Sequence, residues 1–278
     1  MPLVSVIIGT YNAECYIKET ILSVLNQTFK DFELIVVDDG STDKTIQIAE
    51  KLLNAPHKLI RQKNMGEAGA RNTGLENASG KYIAFLDHDD LYAAEKLEKT
   101  VCFLEGNREF GMVYSNYDFI IAPRNINKWR GWSSSKSNNG SGDIFLKQFV
   151  ENKIHIITVL LRRECFDKIG FFDQAINYAC DSDMWIRISA HYKIGYLEDT
   201  LAYYRLHDTN VSLDRETCLI HRIDSMKKNY ALFNDRVKGN KNIINSIKNL
   251  YYRIVKLYIK QGNLKKAFKY IIDYKKII

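Results

Sequence analysis

The stretch "FELIVVDDGSTDKTIQIAEKLLN" (residues 32–54) contains the unit that predicts the fold of this chain. Its first half is an apolar run of strand length, interrupted only by Glu33, that ends in two carboxylates, Asp38 and Asp39. Its second half has the apolar spacing of a helix, with Ser41, Thr42 or Asp43 available as the N-cap. A buried strand followed at once by an amphipathic helix is typical of a parallel sheet covered by helices.

The same alternation continues on both sides of this unit. Upstream, "LVSVIIGTYN" (3–12) predicts a strand and "KETILSVLNQT" (18–28) a helix. Downstream, a strand, a helix and a strand are predicted in "HKLIRQ" (57–62), "GEAGARNTGLENA" (66–78) and "KYIAFLDHDD" (81–90). In such sheets ligands bind beyond the carboxyl ends of the strands. We therefore expect the polar segments "GTYN", "DDGSTD" and "DHDD" to form one site.

Later parts of the chain follow a different pattern. Between Glu105 and Arg205 the sequence predicts strands around one helix, "DSDMWIRISAHY" (181–192), and a long mobile loop from Ala122 to Gly142. Aromatic faces such as those of Trp129 and Trp132 in that loop suit a sugar ring, so we interpret the loop either as a lid over such a ligand or as disorder. From Arg215 onward the pattern is wholly helical, with a break at residues 262–263.

Composition excludes several classes of protein. Hydrophobic residues make up 46% of the 278 residues, enough for a sizeable core and too many for a disordered chain. No apolar run of about 18 residues occurs, and the N-terminus lacks the pattern of a signal peptide, which argues against a transmembrane or secreted protein. The 5 cysteines lack metal-type spacing, which favours reduced thiols and a cytoplasmic location.

Positive charge is concentrated at the end of the sequence. Residues 238–278 hold ten Lys and one Arg against a single acid, Asp273, a local net charge of +10. Because the whole chain carries +7, the remaining residues carry a net charge of −3. A mildly acidic body with a basic tail favours a localised anionic partner, above all a membrane surface, over nucleic acid. The simpler interpretation is that one helix face packs on the body and leaves its lysines in water.

Each polar segment has a structural and a chemical interpretation. "DDGSTD" is either a capped turn or a base-binding carboxylate site, and Arg71 with the glycines of "GEAGARNTG" is either a helix entry or a phosphate contact. The carboxylates of "DHDD" suit Mn²⁺ or Mg²⁺, and His207 could add a nitrogen ligand. Asp181 and Asp183 begin a helix, where they either complement its dipole or act as a general base.

Six ordered segments together are much more specific than any one of them: "VSVIIGTYN", "LIVVDDGSTD", "GEAGARNTG", "YIAFLDHDD", "DSDMWIRIS" and "YYRLHDTNVS". In this order the chain resembles a family 2 inverting glycosyltransferase over roughly residues 3 to 215. The resemblance implies the GT-A fold, an α/β fold with a Rossmann-like, mostly parallel central sheet flanked by helices, here with a C-terminal helical extension. It also implies a glycosyltransferase domain at residues 1–214, with a nucleotide-sugar half (1–104) and an acceptor half (105–214), followed by a basic helical extension (215–278).

The resemblance also implies roles for individual residues. A nucleotide sugar, most plausibly a UDP-sugar, is expected to contact Thr10, Tyr11, Asp39, Arg71, Asp87 and His88. Mn²⁺ or Mg²⁺ is expected on Asp89, with Asp87 and His207 assisting. Asp181 takes the role of catalytic base towards a hydroxyl of a saccharide or lipid-linked acceptor, in the synthesis of a cell-surface polysaccharide or glycoconjugate.

One residue departs from the family pattern. The acidic pair before the helix, commonly Glu-Asp, is Cys180-Asp181 here, and a thiol cannot place an acceptor as a carboxylate does. Asp183 could supply the missing carboxylate or serve as the base itself.

Two other functions stay open at this point. One is nucleotidyl transfer to a sugar phosphate, although "GTYNAE" lacks the Gly-rich basic loop such enzymes usually have. The other is a basic protein that binds nucleic acid.

Overall fold

An eight-stranded sheet forms the centre of the computed structural model, which describes residues 1–121 and 140–275. The strands are β1 (Val4–Thr10), β2 (Phe32–Asp38), β3 (Lys58–Arg61), β4 (Tyr82–Phe85), β5 (Leu91–Tyr92), β6 (Phe110–Ile121), β7 (Leu160–Arg162) and β8 (Lys193–Leu206). The helices are α1 (Ile17–Leu25), α2 (Thr45–Leu52), α3 (Gly66–Glu76), α4 (Lys96–Gly106), α5 (Phe145–Val150), α6 (Glu164–Ile169), α7 (Cys180–Ser189), α8 (Arg215–Leu232), α9 (Asn234–Val237), α10 (Lys241–Lys260) and α11 (Leu264–Lys275). The strand order is β3-β2-β1-β4-β7-β6-β8-β5.

The first four strands run parallel, as the sequence predicts. β1 pairs with β2 and β4, and β2 pairs with β3, all in parallel register. All residues of β2 and nearly all of β1 are buried, because α-helices cover the sheet on both faces. Thr10 lies opposite Asp38 in the register, so the loops after β1 and β2 leave the same edge of the sheet.

The second half of the sheet is mixed. β7 runs antiparallel to both β4 and β6, β5 runs antiparallel to β8, and β6 and β8 form a long parallel pair. Because β8 lies beside β5 and ends at Leu206, the segment that follows it reaches the loop after β4. The α/β architecture with its flanking helices and C-terminal helices agrees with the predicted fold.

Helix α3 lies unusually close to the sheet. A Cβ placed on Gly74 would come within 2.3 Å of Cγ2 of Ile7 in β1. Real Cβ atoms do not approach other atoms this closely, so only glycine allows α3 to pack at this distance. The close packing brings the start of α3, and Arg71 within it, to the carboxyl ends of β1 and β4.

The C-terminal helices form a second hydrophobic core. Leu219, Ile223, Met226, Ile243, Ile247, Ile254 and Tyr258 pack there with Phe145 and Phe149 of α5 and Ile186 of α7. In α10 the buried residues recur at helical spacing: Ile243, Ile247, Leu250, Tyr251, Ile254 and Tyr258. One face of α10 therefore packs on the body. The boundary at residue 214 stays a prediction.

Two further predictions concern membrane-spanning helices and the loop that carries the two tryptophans. None of the helices within residues 1–121 and 140–275 combines the length and the apolar character that crossing a membrane requires. Trp129 and Trp132 lie outside the described residues, so the interpretation of their loop as a lid stays a hypothesis.

Candidate active site

The loops after β1 and β2 are tied together by Asn12. Its backbone N–H donates to the hydroxyl of Ser41 at 2.9 Å, and its side-chain oxygen accepts from the backbone N–H of Thr42 at 2.8 Å. Asn12 has a φ of 48°, a left-handed conformation that asparagine tolerates better than most residues. The predicted "GTYN" and "DDGSTD" segments therefore form one connected rim.

The carboxylate of Asp39 holds the entry to α3. It accepts hydrogen bonds from the Gln62 side chain at 2.7 Å, from the backbone N–H of Met65 at 2.8 Å and from that of Gly66 at 2.9 Å. Gly66 has a φ of 75°, which suits glycine. Asp39, predicted to bind the base, thus also determines the position of the loop before α3.

Several polar atoms on this rim have no partner in the described part of the chain. Thr10 is buried, and its hydroxyl oxygen makes no hydrogen bond there. Asp38 accepts from the backbone N–H of Ser41 through Oδ2, but its buried Oδ1 has no partner. Buried polar atoms of a native protein are normally hydrogen-bonded, so these atoms suit a polar ligand. Tyr11, beside them, is 45% exposed.

Arg71 connects three predicted parts of the site. Its guanidinium is buried and donates through Nη2 to Asp87 Oδ1 at 2.7 Å and through Nη1 to the sulfur of Cys180 at 3.1 Å. Nη2 also contacts the carboxylate of Glu67, one helical turn earlier in α3. The group lies 5.8 Å from the ring centroid of Phe172. One side chain thus joins the "DHDD" motif to the first turn of α7.

Glu67 is a member of this cluster that the sequence analysis did not identify. Burial raises its pKa to about 7, and the charges of Asp87 and Asp181 act in the same direction, against the attraction of Arg71. Its position four residues before Arg71 on a helix is the signal that could have indicated it. Burial also raises the pKa of the Cys180 thiol, so Cys180 is neutral beside the guanidinium.

Asp89 and His207 form a pair on the other side of the motif. Nε2 of His207 lies 2.8 Å from Oδ2 of Asp89, and its Nδ1 lies 2.9 Å from the hydroxyl of Thr209. The imidazole stacks on the ring of Tyr16 with 4.6 Å between centroids. Although burial acts to raise it, the hydrogen bond with His207 lowers the pKa of Asp89. Residues 118 positions apart are therefore held face to face.

Asp90 and Arg205 anchor the loop that carries these groups. Asp90 is buried and accepts from the backbone N–H of Arg205 at 2.7 Å, so it ties the loop to β8 and does not cap a helix. Burial and the charges of Asp89 and Asp87 raise its pKa well above the usual value. Arg205 donates to the carbonyl of Asp89 and to Glu19 of α1. The carbonyl of His88 accepts from Thr20, also on α1.

The donor atoms at Asp89 and His207 fit a divalent cation as a partial site. One carboxylate oxygen and one imidazole nitrogen face each other, a set that Mn²⁺ accepts, and the Thr209 contact holds the ring as an outer partner of a metal ligand would. Asp87, predicted as an assisting ligand, contacts Arg71 instead. No group of three His, Cys, Asp or Glu side chains in residues 1–121 and 140–275 could hold a metal ion, so phosphate oxygens and waters would complete the shell.

Asp181 lies at the first turn of α7 and lines two neighbouring cavities. One has a volume of about 1100 Å³, and the other, of about 290 Å³, is also lined by His155 and Tyr117. Burial raises the pKa of Asp181, while Arg71, His155 and Arg222 act to lower it. A half-buried carboxylate with a raised pKa, open to a cavity, is suited to accept a proton near neutral pH.

Asp183 has a different environment although it is only two residues away. It is fully buried, and its two oxygens accept from Arg187 at 2.9 Å and from Asn229 at 2.8 Å. Lys228 of α8 adds an ion pair at 3.1 Å. Asp183 therefore connects α7 to α8 and does not supply a carboxylate near Cys180. Glu67 lies closer to that role, since it contacts the same guanidinium as Cys180.

Comparison with known proteins was made by sequence and by fold. The model of the glycosyl transferase family 2 matches residues 5–186. An uncharacterized glycosyltransferase of Haemophilus influenzae is 41% identical over 174 residues, which cover 62% of this chain and 66% of that protein. One from Rickettsia typhi is 34% identical over 221 residues, 77% of this chain and 68% of that protein. The chain thus spans about two thirds of the length of these relatives.

Solved structures with low sequence identity share the fold. S. aureus TarS 1-349 in complex with UDP-GlcNAc has a TM-score of 0.65 at 20% identity, over 99% of this chain and 90% of that one. The mannosyltransferase PcManGT from Pyrobaculum calidifontis, in complex with GDP-Man and Mn²⁺, has a TM-score of 0.64 at 20% identity, over 98% of this chain and 74% of that one.

Proposed function

The chain belongs to glycosyltransferase family 2, and we propose that it transfers a sugar from a nucleotide sugar to a hydroxyl of a saccharide or lipid-linked acceptor, with inversion at the anomeric carbon. The observation that carries the proposal is the pair of contacts made by Arg71. Through Nη2 it binds Asp87 of the predicted donor motif, and through Nη1 it binds Cys180, the residue before Asp181. These contacts support the proposal, because a diphosphate beside Asp87 and an acceptor hydroxyl beside Asp181 would then be neighbours.

The donor nucleotide is assigned to the rim formed by the loops after β1 and β2. The unpartnered oxygens of Thr10 and Asp38 are free to hydrogen-bond to a ribose or a base, and the backbone N–H of Asp39 donates to the carbonyl of Thr10 at 2.8 Å. A UDP-sugar is the first choice, and the UDP-GlcNAc bound by TarS and the GDP-Man bound by PcManGT support a nucleotide sugar in general. Arg71 provides positive charge beside Asp87, where the diphosphate would lie.

Asp89 and His207 would hold Mn²⁺ or Mg²⁺ together with the diphosphate. The cation supplies charge neutralisation as the nucleoside diphosphate leaves. His207 is held for this by its stack on Tyr16 and by Thr209, and Asp89 by the contacts of Arg205 with its carbonyl. Tyr16 just before α1, Thr209 just after β8 and Arg205 of β8 would thus hold the two proposed ligands in place before a donor binds.

Asp181 is proposed as the general base. It removes the proton from the acceptor hydroxyl, whose oxygen forms a bond to the anomeric carbon while the bond to the nucleoside diphosphate breaks on the opposite face. An α-linked donor therefore gives a β-linked product. The raised pKa of Asp181 supports this role, because a more basic carboxylate takes the proton more readily.

A panel of nucleotide sugars tests the proposal. The purified chain is incubated with UDP-, GDP- and dTDP-sugars with Mn²⁺, with Mg²⁺ and with EDTA, and release of the nucleoside diphosphate is measured. We expect slow hydrolysis of one donor class that EDTA abolishes. Pyrophosphate formed from UTP and a sugar phosphate, without release of UDP from any UDP-sugar, would indicate nucleotidyl transfer and contradict the proposal.

A membrane surface is proposed as a second partner, through the outer face of α11. Leu264, Phe268, Ile271 and Ile272 form an exposed apolar stripe on this helix, and only Ala267 of the helix is buried. Lys265 and Lys269 are exposed beside the stripe. An apolar stripe flanked by lysines matches the anionic lipid of a cytoplasmic leaflet, to which the enzyme would bind peripherally.

Vesicle flotation tests this surface. We expect the protein to float with vesicles containing about 30% anionic lipid but not with neutral ones, since about 1 kcal/mol of attraction per lysine is lost without anionic lipid. The Phe268→Ser and Ile272→Ser double variant should stay unbound, while Tyr252→Ser, on the exposed surface of α10, should bind. Equal flotation with both lipids, or a dimer that the double variant abolishes, would refute the membrane assignment.

A further inference from the structure

A large polar cleft lies between the body of the protein and its C-terminal helices. Its volume is about 1100 Å³, and Asp181 stands at its wall. Most of the remaining wall comes from α8 and α10, which lie beyond residue 186, where the match to the family model ends. The cleft is therefore built largely by the part of the chain that the family model leaves undescribed.

Three arginines line this cleft: Arg215 and Arg222 from α8 and Arg253 from α10. None of them makes an ion pair with another residue in the described part of the chain. The acids in the wall are Asp181 and Glu151, and Glu151 is paired with Lys153 at 3.1 Å. Positive charge in the cleft thus exceeds negative charge, in contrast to the acidic body.

Arg222 has the clearest sign of a missing partner. Its Nη1 is buried and has no hydrogen-bond partner in residues 1–121 and 140–275. Burial lowers its pKa to about 10, although the charge of Asp181 opposes this, so the guanidinium remains charged at neutral pH. A buried donor without an acceptor is costly, and a planar guanidinium prefers a carboxylate or a phosphate as its acceptor.

The cleft also offers neutral hydrogen-bonding groups. Asn242, Asn245 and Asn249 are spaced three and four residues apart on α10, so they share one helix face, and all three line the cleft. Their amides can both donate and accept, as hydrogen bonds to sugar hydroxyls require. A cleft that is lined by both amides and arginines, with Asp181 at its wall, suits a charged saccharide.

We propose that this cleft binds the acceptor, and that the acceptor is a saccharide carrying an oxyanion, either phosphate or carboxylate, which Arg222, Arg215 and Arg253 hold. The inference rests on the proposed function, because it places the acceptor hydroxyl beside Asp181. The anion is paired with the buried guanidinium, and the amides of α10 orient the neighbouring sugar. Neutral saccharides lack the group that Arg222 needs.

A competing explanation gives Arg222 only a structural role as a charge partner of Asp181. In that case Arg253, which is exposed on α10 and makes no ion pair within the described residues, would have no influence on saccharide binding. The two explanations therefore differ in what Arg253 does, and the distinction does not depend on whether an Arg222 variant folds.

Calorimetric titration tests the inference. Glucose 1-phosphate, glucuronate and glucose are titrated into the protein with UDP and Mn²⁺ present, so that the donor site is filled. We expect at least one of the two anions to bind more tightly than glucose, and the stronger of them identifies phosphate or carboxylate. Arg222→Met should weaken that binding about 10- to 100-fold, the usual effect of losing a hydrogen bond to a charged group, and Arg253→Met several-fold.

Arg108→Met is the matched control, because it removes one exposed arginine that does not line the cleft. The control should bind the anion as the wild type does. Anions that bind no tighter than glucose, or Arg253→Met and Arg222→Met proteins that bind like the control, would overturn the inference. Release of UDP from a UDP-sugar by the wild-type protein, measured separately, decides the proposed function, so the two failures are distinguishable.

Discussion

Replacing Asp181 and Asp183 separately by asparagine should have different effects on activity and stability, although the two residues are only two positions apart. Asp181 lines two cavities, whereas Asp183 is fully buried and pairs with Arg187 and Lys228. We therefore expect Asp181→Asn to abolish transfer while the protein stays folded, and Asp183→Asn to destabilise the protein.

The loss of transfer follows from the chemistry of the base. An amide cannot take the acceptor proton, and a general base typically contributes about 10²- to 10⁴-fold to a rate. At about 1.4 kcal/mol per tenfold change, this corresponds to roughly 3–5 kcal/mol of activation free energy. In the wild type, protonation of Asp181 should reduce transfer at acid pH. The acid limb of the pH–rate profile should lie above the usual carboxyl pKa of 3.8, because burial raises the pKa of this group.

The stability effects follow from burial. Removing one charge from the Asp183 cluster leaves Arg187 in contact with a neutral amide, and breaking a buried ion pair costs about 3–5 kcal/mol. For a chain of this size about 2–4 °C is lost per kcal/mol, so the unfolding midpoint should fall by roughly 10 °C. The pKa of Asp181 is higher in the folded protein than in the unfolded chain, so ionisation of this carboxyl lowers the free energy of unfolding as pH rises through the folded pKa. Asp181→Asn should therefore unfold at the wild-type temperature or above it.

The assay combines two measurements on each variant. Release of the nucleoside diphosphate in the presence of acceptor gives the rate, and calorimetric thermal unfolding gives the midpoint. The reasoning is refuted if Asp181→Asn transfers sugar at near the wild-type rate, or if Asp183→Asn loses transfer with an unchanged midpoint. The second result would make Asp183 the base.

Three further predictions concern the free energy of unfolding of the protein. Gly74→Ala should cost about 1–3 kcal/mol of unfolding free energy, because its Cβ would meet Ile7 at 2.3 Å, whereas Gly106→Ala, with open space at its Cβ, should be neutral or stabilising. Glu33→Gln should lower stability by about 2–3 kcal/mol at pH 7 and remove the loss that wild type shows as pH falls from about 4.5 towards the folded pKa of about 2. Buried Lys96, whose pKa burial lowers to about 7, should make the wild type more stable as pH rises from 7 to 10, by about 3–4 kcal/mol, and Lys96→Met should abolish this rise. Chemical denaturation at several pH values checks all three, and a Gly74→Ala protein as stable as wild type, or pH profiles unchanged in Glu33→Gln and Lys96→Met, would contradict the packing and charge assignments.

The strands and helices were largely predictable because their signals are local. The apolar run of β2 and the helical spacing of α2 are properties of adjacent residues, and both elements form where the pattern predicts them. The meeting of the segments after β1, β2 and β4 was also predictable, because parallel strands bring their carboxyl ends to one edge of a sheet. The antiparallel strand β7 beside β4 does not change this, because β1, β2 and β4 still end at the same edge.

The environments of side chains distant in sequence were not predictable in this way. Nothing near Arg71 in the sequence indicates that it contacts Cys180, 109 residues later, and this contact depends on how closely Gly74 lets α3 approach β1. The contact of Glu67 with Arg71 was missed because Arg71 had been considered only as a ligand contact or as part of a helix entry. The arginine cleft was missed because its walls belong to α8 and α10 as well as to α7.

Asp181 and Asp183 show most clearly what belongs to each level. The sequence alone determined that two carboxylates begin a helix and that the "DHDD" motif follows a strand of a mostly parallel sheet, because apolar periodicity and the order of motifs are local features of the chain. Only the tertiary structure decided which carboxylate faces a cavity and which is buried. Two residues apart on a helix, the side chains point about 200° from each other, so packing α8 against one side buries Asp183 among cations and leaves Asp181 facing the cleft.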